Sequence, residues 1–343
     1  MKAAILRGIK QISIEEVDRP QIMPDQVLVR LKAVGVCGSD VHYYLHGRIG
    51  NQVVTSPFIL GHEPAGEIAE VGSAVKNLKP GMAVAVEPGI PCRQCENCHK
   101  GKYNLCPNVE FLGTPPVQGA YREYIAYNPD FLFPLPSTMS FAEGALIETL
   151  AVGMYASELA GLQPGDDIAI LGSGPVGLVT LKAARLRGVN RIFITDRIAE
   201  RLSVAAAHKD VIAINITKEN PAEVIREMTK GRGVDTVFEA AGALETVNQA
   251  VELACIGGKI VLIGIPAEDF VSFDSHINRR KELTHLALRR FRHMFPRCIQ
   301  AVASGNIVLK DLITHNFSLE EIEKPFHLVE NYQDGVVKAI INI

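Results

Sequence analysis

The sequence predicts an α/β protein of two domains: an irregular, mostly β unit, and a doubly wound parallel sheet with helices on both faces. Three observations predict it. The chain has 343 residues, which at about 150 residues per domain gives roughly two domains. Short strand-like runs broken by Gly and Pro fill residues 1 to about 150, whereas strands alternate with helical patterns from about 152 to 288. A Gly172-Ser-Gly174-Pro-Val-Gly177 turn joins the first strand and first helix of that second stretch.

In the β-rich part the runs lie at 27–36, 65–71, 82–86 and 121–126, with no long helical pattern between them. In the second part, strands are expected at 168–171, 191–195, 211–214, 234–239 and 259–264. Helices are expected at 175–187, 199–207, 221–230 and 243–254. That alternation implies a parallel sheet. Beyond 289 come two helical patterns, 294–304 and 319–332, and a strand-like run at 336–341. The tail is expected to pack back onto the β-rich part. The organisation is then 1–151, an inserted 152–288 domain, and a return over 289–343.

Composition excludes several classes. Lys and Arg number 35 against 38 Asp and Glu, a net charge of −3. A general nucleic-acid-binding field needs a basic excess. Hydrophobic residues at 47% and charged residues at 21% are globular values. No run approaches the ~18 apolar residues of a membrane span, and MKAAILRGIK lacks the apolar stretch of a signal peptide. The expectation is a cytoplasmic protein with no nucleic-acid or membrane partner, whose thiols stay reduced and available to metal.

The glycine turn has the context of a dinucleotide site. Gly172 permits the tight turn, Gly174 lets backbone approach a pyrophosphate, and Gly177 lets the helix lie close to the strand. Pro175 and Val176 open the helix, whose N-terminus faces the phosphates. Asp196 ends the next strand, nineteen residues past Gly177. A carboxylate there accepts from the adenosine ribose hydroxyls and repels a 2′-phosphate, which favours NAD over NADP. Arg197 and Arg201 follow it. Their plain reading, which is preferred, is a solvated helix face; their functional one is contact with a 2′-phosphate, which would admit NADP, and Arg201 is counted among the cofactor-site residues.

Cysteine is the odd feature. There are seven, and Cys92, Cys95, Cys98 and Cys106 fall within fifteen residues on a Pro/Gly/Asn-rich loop at 88–110. Four soft ligands at this spacing suit a closed tetrahedral zinc site, which is structural because it keeps no open position. A zinc ribbon for nucleic acid is disfavoured by the weak charge of the loop. Cys255 and Cys298 read as buried thiols.

Three further elements carry ligand chemistry: Cys37-Gly-Ser39-Asp40-Val-His42, Gly61-His62-Glu63, and Glu148 in Gly144-Ala-Leu-Ile-Glu148. Singly, Cys37 also reads as a small buried hydrophobe, His62 as a core histidine and Glu148 as a cap at a helix start. Spacing cannot unite them, because Cys37 and Glu148 are 111 residues apart.

The order of these elements, the four-cysteine loop, the glycine turn and the total length resemble the zinc-dependent medium-chain alcohol dehydrogenase family. The string from Val36 to Tyr44, continuing His46-Gly-Arg-Ile-Gly50, and Glu143-Gly-Ala-Leu-Ile-Glu148 resemble its sorbitol (L-iditol) and xylitol dehydrogenase branch. The resemblance implies a GroES-like catalytic domain and a Rossmann cofactor domain. It also implies a homotetramer, or a dimer, with two zinc ions and NAD per subunit. It makes Cys37 and His62 catalytic zinc ligands. Glu148 then holds zinc directly or through a water, and Glu63 is a direct ligand or a partner behind the ligands, the two exchanging roles.

One thiolate, one imidazole and one carboxylate leave an open position. Zinc lowers the pKa of bound water to about 7 and similarly acidifies a substrate hydroxyl, whose alkoxide expels hydride to the nicotinamide. By resemblance Ser39 begins a proton relay and His42 continues it. Their plain readings are an N-cap for a 40–45 helix and a surface histidine. Tyr43, Phe111, Thr114 and Arg290 are pocket candidates. The branch usually has Phe-Arg-Tyr where this chain has Arg289-Arg290-Phe291, in a segment, 276–298, with seven basic residues against Glu282 alone. Thr149 replaces a common proline. The expected activity is interconversion of a polyol and a ketose. The alternatives are threonine, a sugar acid, a phosphorylated polyol or a simple secondary alcohol as substrate, or a crystallin-like NAD-binding protein without catalysis.

Overall fold

The structure is a computed structural model and describes residues 1–55 and 57–343. It divides into two compact units, Met1–Thr149 with Arg292–Ile343, and Leu150–Phe291.

The first unit is organised around strand Val27–Gly35, which is rich in Val and Leu and mostly buried. Along one edge it pairs antiparallel with Glu63–Val71. The other edge is shared. Tyr124–Tyr127 covers residues 27–30, and Lys338–Asn342 covers residues 33–35. Ile313–Ser318 then adds in parallel to Lys338–Asn342. Ala83–Val86 and Leu132–Pro134 extend the sheet on the far side of Glu63–Val71, making seven strands. Val29, Leu31, Val34, Tyr121, Phe326 and Ile341 are buried in one hydrophobic cluster over it. The register sets Gly35 opposite Glu63. Cys37 and His62 therefore flank the same end of two neighbouring strands.

The second unit is a six-stranded parallel sheet. Its strands run in the order Val211–Asn215, Arg191–Asp196, Asp167–Leu171, Val234–Glu239, Ala254–Leu262, Thr284–Ala287. Asp167–Leu171 is buried at every residue, as a strand covered on both faces must be. Because this first strand lies inside the sheet, the chain order reverses beside it. In such sheets the crevice at the carboxyl ends of the strands, where the order reverses, is where ligands bind.

Several expectations need correction. The β-rich part does contain a long helix, Phe141–Ala160. Its only charged residues are Glu143, Glu148 and Glu158. A helix buried nearly all round lacks the polar face that makes a 3.6-residue period visible. Glu148 sits in the middle of this helix, not at its start. The 319–332 segment is a short 3-10 turn, Leu319–Glu321, followed by helix Glu323–Glu330. Pro325 has no N–H to donate to residue 321, so it fits only the first turn of a helix that starts late. The strand expected at 259–264 is Ala254–Leu262, and that expected at 121–126 is Tyr124–Tyr127.

Candidate metal and cofactor sites

The first site grows from the two strand ends. Cys37 is the N-cap of helix Gly38–His46, and its backbone N–H donates to Asp40 Oδ2 at 3.2 Å. Ser39 is therefore inside the helix and not its cap. Its hydroxyl donates to Cys37 Sγ at 3.3 Å. The candidate ligand atoms of Cys37, His62 and Glu63 all lie within 4.8 Å of one another. Asp40 is fully buried and gathers four donors. They are His62 Nδ1 at 3.2 Å, the Gly61 N–H at 3.1 Å, the Tyr121 hydroxyl at 2.9 Å and the Cys37 N–H. Burial opposes the charge of Asp40, but His62, Tyr121 and the Cys37 N–H override it and hold the carboxyl below its usual range. An ionised carboxylate only accepts, so the contact calls for a proton on Nδ1, and Nε2 is the nitrogen that would give up its proton to hold a metal. Burial also opposes charging His62, yet Asp40 and Cys37 together hold its pKa well above normal.

Glu63 is buried against Lys338, whose ammonium donates to Oε1 at 2.6 Å. Oε2 is within ion-pair distance of the same nitrogen but accepts no hydrogen bond. Gly35 makes the room. A Cβ there would stand 1.9 Å from Glu63 Oε2. Glu148 is buried and lies outside the 4.8 Å group. From the protein groups alone, burial pushes its carboxyl up to about 8, with His62 opposing the shift and Glu63 adding to it.

The remaining candidates are placed unevenly. Phe111 is buried with its ring 5.7 Å from that of His62. The Thr114 N–H donates to the Phe111 carbonyl at 3.0 Å. Tyr43 is buried, its hydroxyl 3.5 Å from Gln52 Oε1. His42 is half-buried, its ring 4.7 Å from that of His46. Burial, then His46 and Arg48, hold its pKa below normal. Arg290 belongs to the second unit, with a left-handed backbone at φ 55°.

The thiols of Cys92, Cys95, Cys98 and Cys106 form a second group within 4.8 Å. Cys92 and Cys106 are tied by the Cys92 N–H, 3.4 Å from Cys106 Sγ. The Gln94 N–H is the main influence lowering Cys92, to about 6. Cys255 and Cys298 are buried, and neither is in a metal-binding group among the described residues.

In the second unit the glycine turn follows Asp167–Leu171 and opens helix Pro175–Arg185, with Gly174 as N-cap. Gly172 has φ 104°, which favours glycine. Gly177 packs so closely that a Cβ would stand 1.9 Å from the Gly172 carbonyl oxygen. Pro175 and Val176 form the first turn. Asp196 ends its strand and is tied back to the turn. Its Oδ2 accepts from the Ser173 N–H at 2.8 Å and the Ser173 hydroxyl at 3.0 Å, and its Oδ1 from the Ile198 N–H at 3.0 Å. Arg201 is not on a solvated face. It is buried, and its Nη1 is 3.7 Å from where a Cβ on Gly174 would be. Arg197 is exposed.

Asp40, Tyr121, Lys338 and Ser173 escaped the sequence reading. Lys338 carried a signal, as the one charge in the apolar run Val336–Ile341. Asp40 read as an acid in a helical first turn.

Residues 23–137 match the family Alcohol dehydrogenase GroES-like domain, and residues 175–304 match the family Zinc-binding dehydrogenase. The chain belongs to the zinc-dependent medium-chain alcohol dehydrogenases. It is 42% identical to the sorbitol dehydrogenase of Bacillus subtilis, over 99% of this chain and 97% of that one. It is 38% identical to the D-xylulose reductase of Morganella morganii, over 94% and 95%. Within the family, this is the sorbitol and xylitol dehydrogenase branch. A solved Escherichia coli oxidoreductase/dehydrogenase of unknown specificity superposes with a TM-score of 0.95 at 35% identity, over 100% of this chain and 99% of that one. A Sinorhizobium meliloti chain described as a zinc-binding dehydrogenase and bound to NADP gives 0.90 at 31%, with the same coverage. Among the described residues, no helix is long and apolar enough to cross a membrane.

Proposed function

We propose that the chain is an NAD- and zinc-dependent polyol dehydrogenase, interconverting a secondary hydroxyl of a sorbitol- or xylitol-like substrate with the ketose. The observation that carries the reading is the cluster of Cys37, His62 and Glu63 beside buried Glu148, in a chain 42% identical to a sorbitol dehydrogenase.

The donor set fits zinc. Sulfur, imidazole nitrogen and carboxylate oxygen converge, and Glu63 Oε2 is buried without a hydrogen bond. In this reading Cys37, His62 and either Glu63 or Glu148 hold the ion, and the four-cysteine loop holds a second, structural one. A zinc ion held at the first set supplies Lewis acidity to a substrate hydroxyl. Asp40 fixes the His62 tautomer and orientation. Lys338 sets the charge of Glu63. Ser39 and His42 carry the substrate proton outward. Tyr43, Phe111 and Thr114 shape the pocket, with Phe111 against His62, and Arg290 is a pocket candidate by the branch resemblance alone. The sheet of the second unit takes NAD at Gly172, Gly174, Pro175, Val176 and Gly177. Asp196 receives the ribose hydroxyls, and Arg201 the phosphates.

Domain roles follow the same reading, with residues 152–288 binding cofactor and 289–343 returning to the catalytic domain. The branch resemblance supports a homotetramer or a dimer, and the reduced-thiol reading of the sequence supports a cytoplasmic setting. The Arg289-Arg290-Phe291 departure supports a second reading, in which a sugar acid or phosphorylated polyol is the substrate. The test is an NAD-reduction assay over pentitols, hexitols, sugar acids and polyol phosphates, with and without a chelator. Activity on a polyol, abolished by the chelator, is expected. Turnover of none of them overturns the proposal.

A further inference from the structure

The first unit contains a cavity of about 320 Å³, lined by Arg122, Gln118, Leu112, Glu110, Asp25 and Tyr127 among others. It is separate from the cluster of Cys37, His62 and Glu63, none of which lines it. Glu110 and Leu112 face it, and Phe111 between them packs on His62, so the two places share a wall.

Arg122 is the unusual member. Its Nε is buried and has no hydrogen-bond partner, although the residue as a whole is half-buried. Burial pushes its pKa down to about 10, and no carboxylate acts against that shift. A guanidinium nitrogen buried without a partner is uncommon, because an uncompensated polar group in low dielectric is costly. The neighbouring acids do not supply one. Asp25 and Glu110 are exposed. The other polar groups are engaged elsewhere. Gln118 accepts from the Ile59 N–H and donates to the Pro57 carbonyl. The Tyr127 hydroxyl donates to the Glu87 carbonyl.

A planar guanidinium is built for a bidentate oxyanion, and a volume near the lower end of ligand pockets suits a small one. We propose that this cavity is an anion site, in which Arg122 receives a carboxylate or phosphate group of a small molecule. The carboxylate of a second copy of the chain offers the same chemistry, and the experiment separates the two sources.

Inorganic phosphate and, separately, acetate are titrated into the zinc-loaded protein saturated with NAD, by calorimetry at constant ionic strength. Arg122→Met and Arg122→Lys are run beside the parent, and the oligomeric state of each is followed by light scattering. One site per chain is expected for at least one of the two anions. Arg122→Met should weaken it about tenfold or more, the cost of a lost charge-assisted pair. Arg122→Lys should fall between. Without added anion, Arg122→Met should melt no lower than the parent, since it removes a buried charge. Absence of binding by the parent overturns the proposal, as does equal binding by the variants. A variant that changes oligomeric state, with no anion bound by the parent, assigns Arg122 to a neighbouring copy instead.

Discussion

The Lys338 ammonium lies 2.6 Å from Oε1 and 2.5 Å from Oε2 of Glu63, and the two side chains are 2% and 1% exposed. A carboxylate of the candidate ligand cluster is thus already paired with a lysine 275 positions away. Removing the lysine strands a buried charge. Lys338→Met is expected to cost ~3 kcal/mol in zinc-free protein and clearly less once zinc is bound, since the ion then offsets Glu63. Thermal melts with chelator and with zinc measure both. An equal loss under the two conditions would refute the link between Lys338 and the metal.

Two groups of candidate ligands predict two metals. Elemental analysis should give two zinc ions per chain for the parent and one for either Cys37→Ser or Cys98→Ser. The two variants should differ in kind. Cys37→Ser loses turnover and keeps its melting temperature within a few degrees, whereas Cys98→Ser loses stability, because a closed zinc site contributes folding energy. One zinc in the parent would sink the assignment of two sites.

Asp196 is held at the turn by Ser173 and Ile198, and in the proposed reading its carboxylate repels a 2′-phosphate. Asp196→Ser should shift kcat/KM toward NADP by about tenfold or more, the size of one relieved like-charge contact. An unchanged NAD to NADP ratio would remove Asp196 from cofactor choice.

Glu87 gives a pH signature away from the proposed chemistry. It is buried, and burial pushes its carboxyl up to about 7 despite the hydrogen bond from Tyr103. The folded state therefore holds this proton more tightly than the unfolded chain does. The stability it contributes is complete below about pH 4.5, declines as pH rises and is lost above about 7, a difference of ~3 kcal/mol. Glu87→Gln keeps an acceptor for Tyr103 and carries no charge. It should match the parent near pH 5 and melt higher at pH 8. Parallel melting curves at both pH values would contradict this.

What the sequence revealed follows from how local each signal is. The four cysteines and the glycine turn are read from spacing alone, because neighbouring residues supply all their geometry. Cys37 and His62 meet through the register of two strands, which no spacing states, so resemblance had to join them. Asp40 and Lys338 were missed for the same reason. Their partners lie across the sheet, and neither a helical first turn nor an apolar strand announces a buried charge. The Phe141–Ala160 helix was invisible because its burial is nearly uniform. Glu148 was named through the resemblance alone, and its place in mid-helix was not legible in the sequence.

Strand Lys338–Asn342 slots between Val27–Gly35 and Ile313–Ser318, and this carries a consequence for biosynthesis. Emerging from the ribosome, the parallel-sheet unit has all its strands well before residue 338 is made, and it can fold as a unit. The sheet beside the cysteine–histidine pair cannot. It must wait until residues 338–342 are made, and closing a loop of about 300 residues delays its pairing further. A message truncated just short of Lys338 would then yield a chain able to fold its parallel sheet, while Glu63 lacks its counter-charge.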